Sequence, residues 1–231
     1  MAPVDTLPVG SEKVRAVRDL FDRIAPRYEL LNRILTFGMD RGWRRRAVAS
    51  LELAPDSRVF DLACGTGDLC RDLARRGYTP SGFDLSAGML AHASVAAPLV
   101  QADALALPVM AATADGAVCG FALRNFVALE PFFEELARVV RSGGRVALLD
   151  VATPTVAPLR WGHAIYFGHV VPWLGGLLSD AAAYRYLPKS VSYLPAPAVM
   201  LDQLRAAGFR AVERRLLSGG ITQLITATRG A

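Results

Sequence analysis

The sequence is poor in the residues that build metal centres and disulfide frameworks. It holds three cysteines and three histidines in 231 residues. Cys64, Cys70 and Cys119 lack the C-x-x-C spacing of zinc sites and are too few for a disulfide scaffold. That usage argues for a reducing, cytoplasmic setting. His92, His163 and His169 are scattered, and no metal is expected. No uninterrupted apolar stretch reaches the roughly 18 residues of a membrane span, so none is expected. Met1 to Gly10 lacks the basic and apolar regions of a secretory signal, and its Pro and Gly content reads as a frayed tail. Internal repeats and low-complexity tracts are absent too. What remains is a chain with 52% apolar residues, long enough for one α/β domain with a good core.

Charge is unevenly placed. Residues 11–46 hold 10 Lys/Arg against 5 Asp/Glu, whereas the rest of the chain holds 16 of each, so the net +5 lies in that segment. The excess includes Arg41, Arg44, Arg45 and Arg46. A solvated helix face is the commonest reason for such a patch. Attraction to an anionic membrane surface is the functional alternative. Nucleic acid is not expected as a partner, because no recognised binding module accompanies the patch.

Hydrophobic spacing divides the chain. Val14, Val17, Leu20, Phe21 and Ile24 form one helical stripe over 11–25, with Ser11 as a plausible N-cap and Pro26 as the stop. Residues 28–37 are amphipathic, Gly38 interrupts them, and 43–51 reads as helix. Residues 1–55 are therefore a helical cap before a sheet. Strands are expected at 58–63, 79–84, 98–102, 115–122 and 144–151. Helices are expected between them at 69–76, 87–95 and 131–141, the last stopped by Ser142-Gly143-Gly144. Residues 154–195 form an apolar, aromatic insertion, followed by a helix at 197–207 and closing strands at 210–217 and 221–228. This alternation predicts a single domain of the Rossmann-like α/β class, a three-layer sandwich with a mostly parallel seven-stranded sheet. Ligands of such sheets bind beyond the carboxyl ends of the strands.

That edge carries the chemistry. The first strand ends at Asp61, followed by a tight turn, Gly65-Thr66-Gly67. Dinucleotide enzymes use G-x-G-x-x-G, but Cys70 occupies the third glycine position here. A carboxylate in the strand repels phosphate and suits a cation. S-adenosylmethionine carries an ammonium and a sulfonium and no phosphate. Asp84 closes the second strand 23 residues after Asp61, near the roughly 20-residue offset of a ribose-binding acid. A carboxylate accepts both hydroxyls of a diol. Asp103 closes the third strand, where it is placed to accept from an adenine amino group. A solvated loop is the commoner fate of any one Asp. Three acids closing successive strands on one edge are not expected by chance.

The motifs taken together resemble the ubiquinone/menaquinone biosynthesis C-methyltransferase family of class I S-adenosylmethionine-dependent enzymes. Phe21-Asp22-Arg23-Ile24-Ala25-Pro26-Arg27-Tyr28 with Leu31-Asn32 is similar to its N-terminal signature. Asp61 to Asp68 is similar to its cofactor loop, and Arg141-Ser142-Gly143-Gly144-Arg145 to its turn before the fifth strand. More specific are Phe121-Ala122-Leu123-Arg124-Asn125 and Ala183-Tyr184-Arg185-Tyr186-Leu187-Pro188-Lys189-Ser190-Val191. The similarity runs from Val14 to Gly220. Gly120 and Ala122 depart from the family's usual Ser and Gly, Asp150-Val151 from Glu-Phe, and the C-terminus from a short His-Arg-Gly. These departures adjoin the pocket and bear on the acceptor more than on the cofactor.

The resemblance implies S-adenosyl-L-methionine held by Asp61, Gly65, Thr66, Gly67, Asp84, Leu85, Asp103, Ala104 and Gly120. It implies methyl transfer to a ring carbon of a polyprenyl quinol, demethylmenaquinol above all. In this reading Asn125 orients the quinol oxygen, Arg124 stabilises developing phenolate charge and Tyr28 closes over the pocket. An Arg–carboxylate clamp and a packed core Tyr are the structural alternatives for the last two. The expected partners are the quinol, the inner face of the membrane as a peripheral contact, and a second copy of the chain in a homodimer. The rival acceptor is a soluble aromatic or polyketide, methylated on carbon or oxygen. A non-catalytic cofactor-binding module and a nicotinamide dehydrogenase are weaker rivals, given Arg124-Asn125, the three acids and Cys70.

Overall fold

The alternating strand and helix segments assemble as the spacing predicts. A computed structural model of the chain describes residues 9–154, 156–166 and 190–231. Helices α1 (Gly10–Ile24), α2 (Tyr28–Leu35) and α3 (Met39–Ala49) precede the sheet. Then follow β1 (Arg58–Leu62), α4 (Asp68–Arg75), β2 (Thr79–Asp84), α5 (Ala87–Ala91), β3 (Leu99–Gln101), β4 (Ala114–Gly120), α6 (Leu129–Val139) and β5 (Val140–Val151). The chain continues with α7 (Ala157–Ile165), α8 (Pro197–Ala206), β6 (Phe209–Leu217) and β7 (Thr222–Arg229). The seven-stranded sheet has the order β3-β2-β1-β4-β5-β7-β6. Strands β1 to β5 pair in parallel, and β7 runs antiparallel between β5 and β6. The order reverses between β1 and β4, which places a crevice beyond their carboxyl ends.

Both faces of the sheet are covered, so its central strands read as continuous apolar runs. Ala117, Cys119, Val146 and Leu148 point into one core with Phe132, Phe133 and Leu136 of α6. Their neighbours Val118, Ala147 and Leu149 point into the other, with Trp43, Val48 and Leu73 from α3 and α4. A third cluster joins the cap to the sheet side: Leu20, Ile24 and Leu31 pack on Met89 of α5.

Element ends differ from the sequence reading by one to four residues, and several of the differences have a visible cause. Helix α1 starts at Gly10 with Val9 as its cap, so Ser11 lies inside the helix and no side chain caps it. Helix α3 begins at Met39, directly after Gly38 in a left-handed conformation. Helix α5 stops at Ala91, and the chain then lays Val95 where a side chain on Gly67 would otherwise stand, its methyls 2.9 Å from that position. Strand β5 starts at Val140, not 144. Val140 pairs with Ala114 and Arg145 with Gly116, so Arg141 to Gly144 bulge out of the ladder.

The cap is held over the strand tips by polar contacts. Asp22 Oδ1 accepts from the Ser86 hydroxyl (2.5 Å) and the Gly88 N–H (2.8 Å). Lys13 Nζ donates to the Phe126 carbonyl (2.6 Å) and lies 3.6 Å from the centre of the Tyr193 ring. Burial lowers the Lys13 pKa to about 8. A Cβ on Gly88 would come within 2.9 Å of the Asp22 backbone. Gly88→Ala should therefore lever α1 off α5 at a cost of about 1–3 kcal/mol. Hydrogen exchange should show faster exchange in α1 with the sheet amides unchanged. Unchanged α1 protection would refute this docking.

Candidate active site

Sharp turns at the ends of β1 and β4 expose backbone and side chains to a shared space. After β1 the chain passes through Ala63 (φ 55°), Gly65 (φ 57°) and Gly67 (φ 85°), the last opening α4. Left-handed backbone suits the glycines and costs a non-glycine residue roughly 1–2 kcal/mol. After β4, Phe121 is also left-handed (φ 60°), fixed by its N–H donating to the Leu149 carbonyl at 2.6 Å. The strained turn aims its ring at the crevice, 6.2 Å from the ring of Trp43.

Asp84 ties two of these loops together. Its Oδ2 accepts from the Gly65 N–H (2.7 Å) and its Oδ1 from the Ser86 N–H (2.8 Å). Each oxygen keeps a lone pair for a ligand hydroxyl. Burial raises its pKa, opposed by these backbone hydrogen bonds. Asp103 Oδ1 accepts from the Leu105 N–H at 2.9 Å.

A cleft of about 820 Å³ gathers Gly65, Asp84, Leu85, Asp103, Ala104 and Gly120, roofed by Val14, Val17 and Phe21 of the cap. Asn125 lines this cleft too, and its Oδ1 is buried without a partner. It does not line the neighbouring cavity. A smaller polar cavity of about 380 Å³ continues past Gly65 to Asp61, Thr66 and Arg44. Gly67 lines none of these spaces and acts through the turn that starts α4.

Asp61 is fully buried. Its Oδ2 accepts from the Cys70 N–H (3.1 Å) and thiol (3.3 Å), while its Oδ1 has no partner. Cys70, which breaks the dinucleotide pattern, thus holds the acid in place. Burial raises the Asp61 pKa from 3.8 to about 7.

A larger cavity of about 1520 Å³ lies on the other side of Tyr28 and Phe121. Its wall is mainly apolar, with Leu35, Phe37, Trp43, Val151, Pro158 and Ile221, and carries Asp40, Arg124 and Thr222 as polar points. Thr222 Oγ1 is buried and without a partner. Tyr28 packs edge-on against Phe21, ring centres 5.9 Å apart, and burial is the main cause raising its phenol pKa. Arg124 is buried and clamped: its Nη1 meets Asp150 Oδ1 (2.5 Å) and the Phe121 carbonyl (2.7 Å), and its Nε meets Ser190 (3.1 Å). Asp150 balances the charge of Arg124, whose guanidinium can only donate hydrogen bonds. The arginine–carboxylate clamp weighed from the sequence is therefore present. Tyr184, Arg185 and Tyr186, and residues 167–189 of the insertion generally, lie outside the described residues.

Sequence spacing missed Asp22, Asp40, Arg44, Phe121, Asp150 and Thr222 as site residues. Arg44 was grouped with a solvated basic face. Arg41, Arg45 and Arg46 are exposed, but Arg44 points inward and is buried. The helical period, which puts it one turn after Asp40, held the only signal.

Asp61 gives a pH test. A folded-state pKa above the unfolded value means the protonated acid supports the fold below about pH 4, and this support is lost as pH rises through about 7. Asp61→Asn should therefore stabilise the ligand-free protein more at pH 8 than at pH 5, by an amount on the order of a few kcal/mol. A pH-independent difference in thermal unfolding would remove the buried, half-partnered acid.

Comparison with known proteins agrees with this geometry. The ubiE/COQ5 methyltransferase family model matches residues 8–229. The chain is 43% identical over 222 residues to a ubiquinone/menaquinone biosynthesis C-methyltransferase UbiE of Syntrophotalea carbinolica, covering 92% of this chain and 93% of that one. It is 43% identical to a demethylmenaquinone methyltransferase of Thermus thermophilus, with 89% and 97% covered. Among solved structures, the [4+2]-cyclase SpnF superposes with a TM-score of 0.67 at 17% identity, covering 98% of this chain and all (100%) of that one. Phosphoethanolamine N-methyltransferase 2 of Haemonchus contortus gives 0.67 at 14% identity, covering 93% and 60%. These distant likenesses establish the fold alone. The match along nearly the whole length makes this chain a member of the ubiE/COQ5 methyltransferase family.

Proposed function

We propose that this protein transfers the methyl group of S-adenosylmethionine to a ring carbon of a polyprenyl quinol, demethylmenaquinol in the first instance. The observation that carries this reading is the pair of cavities sharing one wall at Phe21, Tyr28 and Phe121. The first is a nucleotide-sized cleft with acids at the strand tips, and the second is large and apolar. The donor brings a sulfonium that is already a strong electrophile. The protein's task is to align acceptor carbon, methyl and sulfur, and positioning of this kind is worth up to roughly 7–11 kcal/mol.

Asp84 and Asp103 suit the ribose hydroxyls and the adenine amino group, and Asp61 suits a cation. In the larger cavity, Thr222 and Arg124 offer donors to a quinol oxygen as it loses its proton. The ring proton displaced by the methyl group leaves to a base or to water. Tyr28 and Phe121 separate the two cavities and keep the reacting centre dry.

A polyprenyl acceptor lives in the bilayer, and no helix among the described residues is long and apolar enough to cross it. Phe37 and Met39 line the larger cavity and are exposed, Leu30 and Trp161 are exposed on α2 and α7, and Arg33, Arg41 and Arg45 are exposed on α2 and α3. An apolar ridge with basic flanks fits an anionic membrane surface. Flotation with vesicles should show binding that grows with anionic lipid and falls in Phe37→Asp. Binding that ignores lipid charge would refute the surface.

The lipid quinones of a strain lacking this protein test the function. A demethylated quinone should accumulate, and the wild-type gene should remove it. Arg124→Ala should restore less than about a tenth of the methylated product, and it leaves Asp150 buried and unpaired at a cost of roughly 3–5 kcal/mol. Its affinity for S-adenosylhomocysteine should be nearly unchanged. An equal loss of that affinity would make Arg124 structural, and unaltered quinones would overturn the assignment.

A further inference from the structure

Asp40 is the one carboxylate among the described residues that line the larger cavity. It is 3% exposed, in a wall that is otherwise mainly apolar. Helix α3 carries it in its first turn, directly after the left-handed Gly38. Its partners leave acceptor capacity unused. Oδ2 accepts from Arg44 Nη2 at 2.6 Å, and Oδ1 lies 2.9 Å from the Thr36 hydroxyl. That hydroxyl also lies 2.7 Å from the Asn32 carbonyl, so its one proton is divided between two acceptors. An ionised carboxylate offers about four lone pairs, and room remains for a hydroxyl arriving from the cavity.

The other titratable groups on this wall are poorly suited to take a proton. Arg124 can only donate. Burial raises the phenol pKa of Tyr28 and of Tyr166, so both keep their protons near neutral pH. Arg44 does not cancel Asp40 by itself, because it also meets Asp68 at 2.9 Å. Arg71 meets Asp68 at 2.5 Å and Glu29 at 3.5 Å. Two arginines thus face Asp40, Asp68 and Glu29, and the network keeps one negative charge. Asp61, which also feels Arg44, adds to that excess wherever it is ionised. A proton taken by Asp40 relieves it.

Thr222 stands on the same cavity with a different character. It is 1% exposed, and its Oγ1 has no partner. A hydroxyl both donates and accepts, so Thr222 can pair with a ring oxygen that carries a proton or with one that does not. An ionised Asp40 only accepts. It pairs with a hydroxyl and repels a carbonyl oxygen.

We infer that Asp40 takes the phenolic proton of the acceptor, and that by demanding an O–H it admits the quinol and turns away the quinone. The inference rests on a quinol as acceptor and deepens that reading. Ring π electrons form the bond to the methyl carbon, and the S–CH3 pair returns to sulfur. The phenolic proton passes to Asp40, and its O–H pair becomes the C=O bond of a dienone. The ring hydrogen then leaves to water as the ring becomes aromatic again, and the oxygen takes its proton back from Asp40.

Calorimetry with a short-chain prenyl naphthoquinol, kept reduced under argon, and with its quinone tests this. Wild-type protein should bind the quinol about tenfold or more tightly than the quinone, the value of one charge-assisted hydrogen bond. Equal affinities overturn the proposal, whether or not any variant folds. Asp40→Asn should bring the two affinities together, whereas Thr222→Val should weaken both by a similar factor. Turnover of the quinol by Asp40→Asn should fall about 10²-fold or more, with its affinity for S-adenosylhomocysteine held within about twofold. Full turnover in Asp40→Asn overturns the base, and so does a loss matched by lost S-adenosylhomocysteine affinity, which would trace the effect to Arg44. A wild-type protein that binds S-adenosylhomocysteine yet neither binds nor methylates the quinol overturns the quinol reading itself.

Discussion

The structure depends on how carboxylates that folding wholly or partly removes from water find partners. Taking a carboxylate out of water costs several kcal/mol unless hydrogen bonds replace the lost hydration. Asp84 meets this demand by joining the loop after β1 to the loop after β2, through Gly65 and Ser86. Asp22 meets it by pinning the cap to Ser86 and Gly88. Asp150 meets it through Arg124 and the Val151 N–H. Each of these three acids satisfies itself by fixing a loop. Asp61 alone of the four is left with an open oxygen, and that opening faces a cavity.

A fixed edge suits a reaction in which the protein has little covalent work to do. The electrophile arrives with the donor, and the acceptor needs only a lost proton and a straight approach. The wall between the two cavities is built in two independent ways. Phe121 is set by a left-handed turn at the end of β4. Tyr28 arrives on the cap, whose position depends on Asp22 and Lys13. The two cavities therefore share a boundary whose halves come from different parts of the chain.

The strands, the glycine turn and the acids at 61, 84 and 103 were legible because their signal is local. A short apolar run, an acid and a turn lie within a dozen residues. What escaped the sequence depends on contacts between distant segments. The bulge at Arg141 to Gly144 forms because β5 starts four residues early and must come back into register with β4. Helix α5 ends at Ala91, and Val95 then packs beside Gly67. Arg44 looked like its neighbours Arg45 and Arg46, and only the packing of α3 on α4 turns it inward. Asn125 was expected to orient the acceptor oxygen, and the short helical turn after β4 places it on the cleft that Asp84 and Asp103 line. The Arg124–Asp150 pair joins residues 26 apart, and no short pattern announces it.

The central claim is that the two cavities bring a methyl donor and a quinol ring together, carbon to carbon. Purified protein, methyl-labelled S-adenosylmethionine and demethylmenaquinol in mixed vesicles test it most directly, with the product read by NMR. The label should appear on a ring carbon, with both quinol oxygens free of it. Label on an oxygen, or none in the quinol under conditions where the donor binds, would contradict the account.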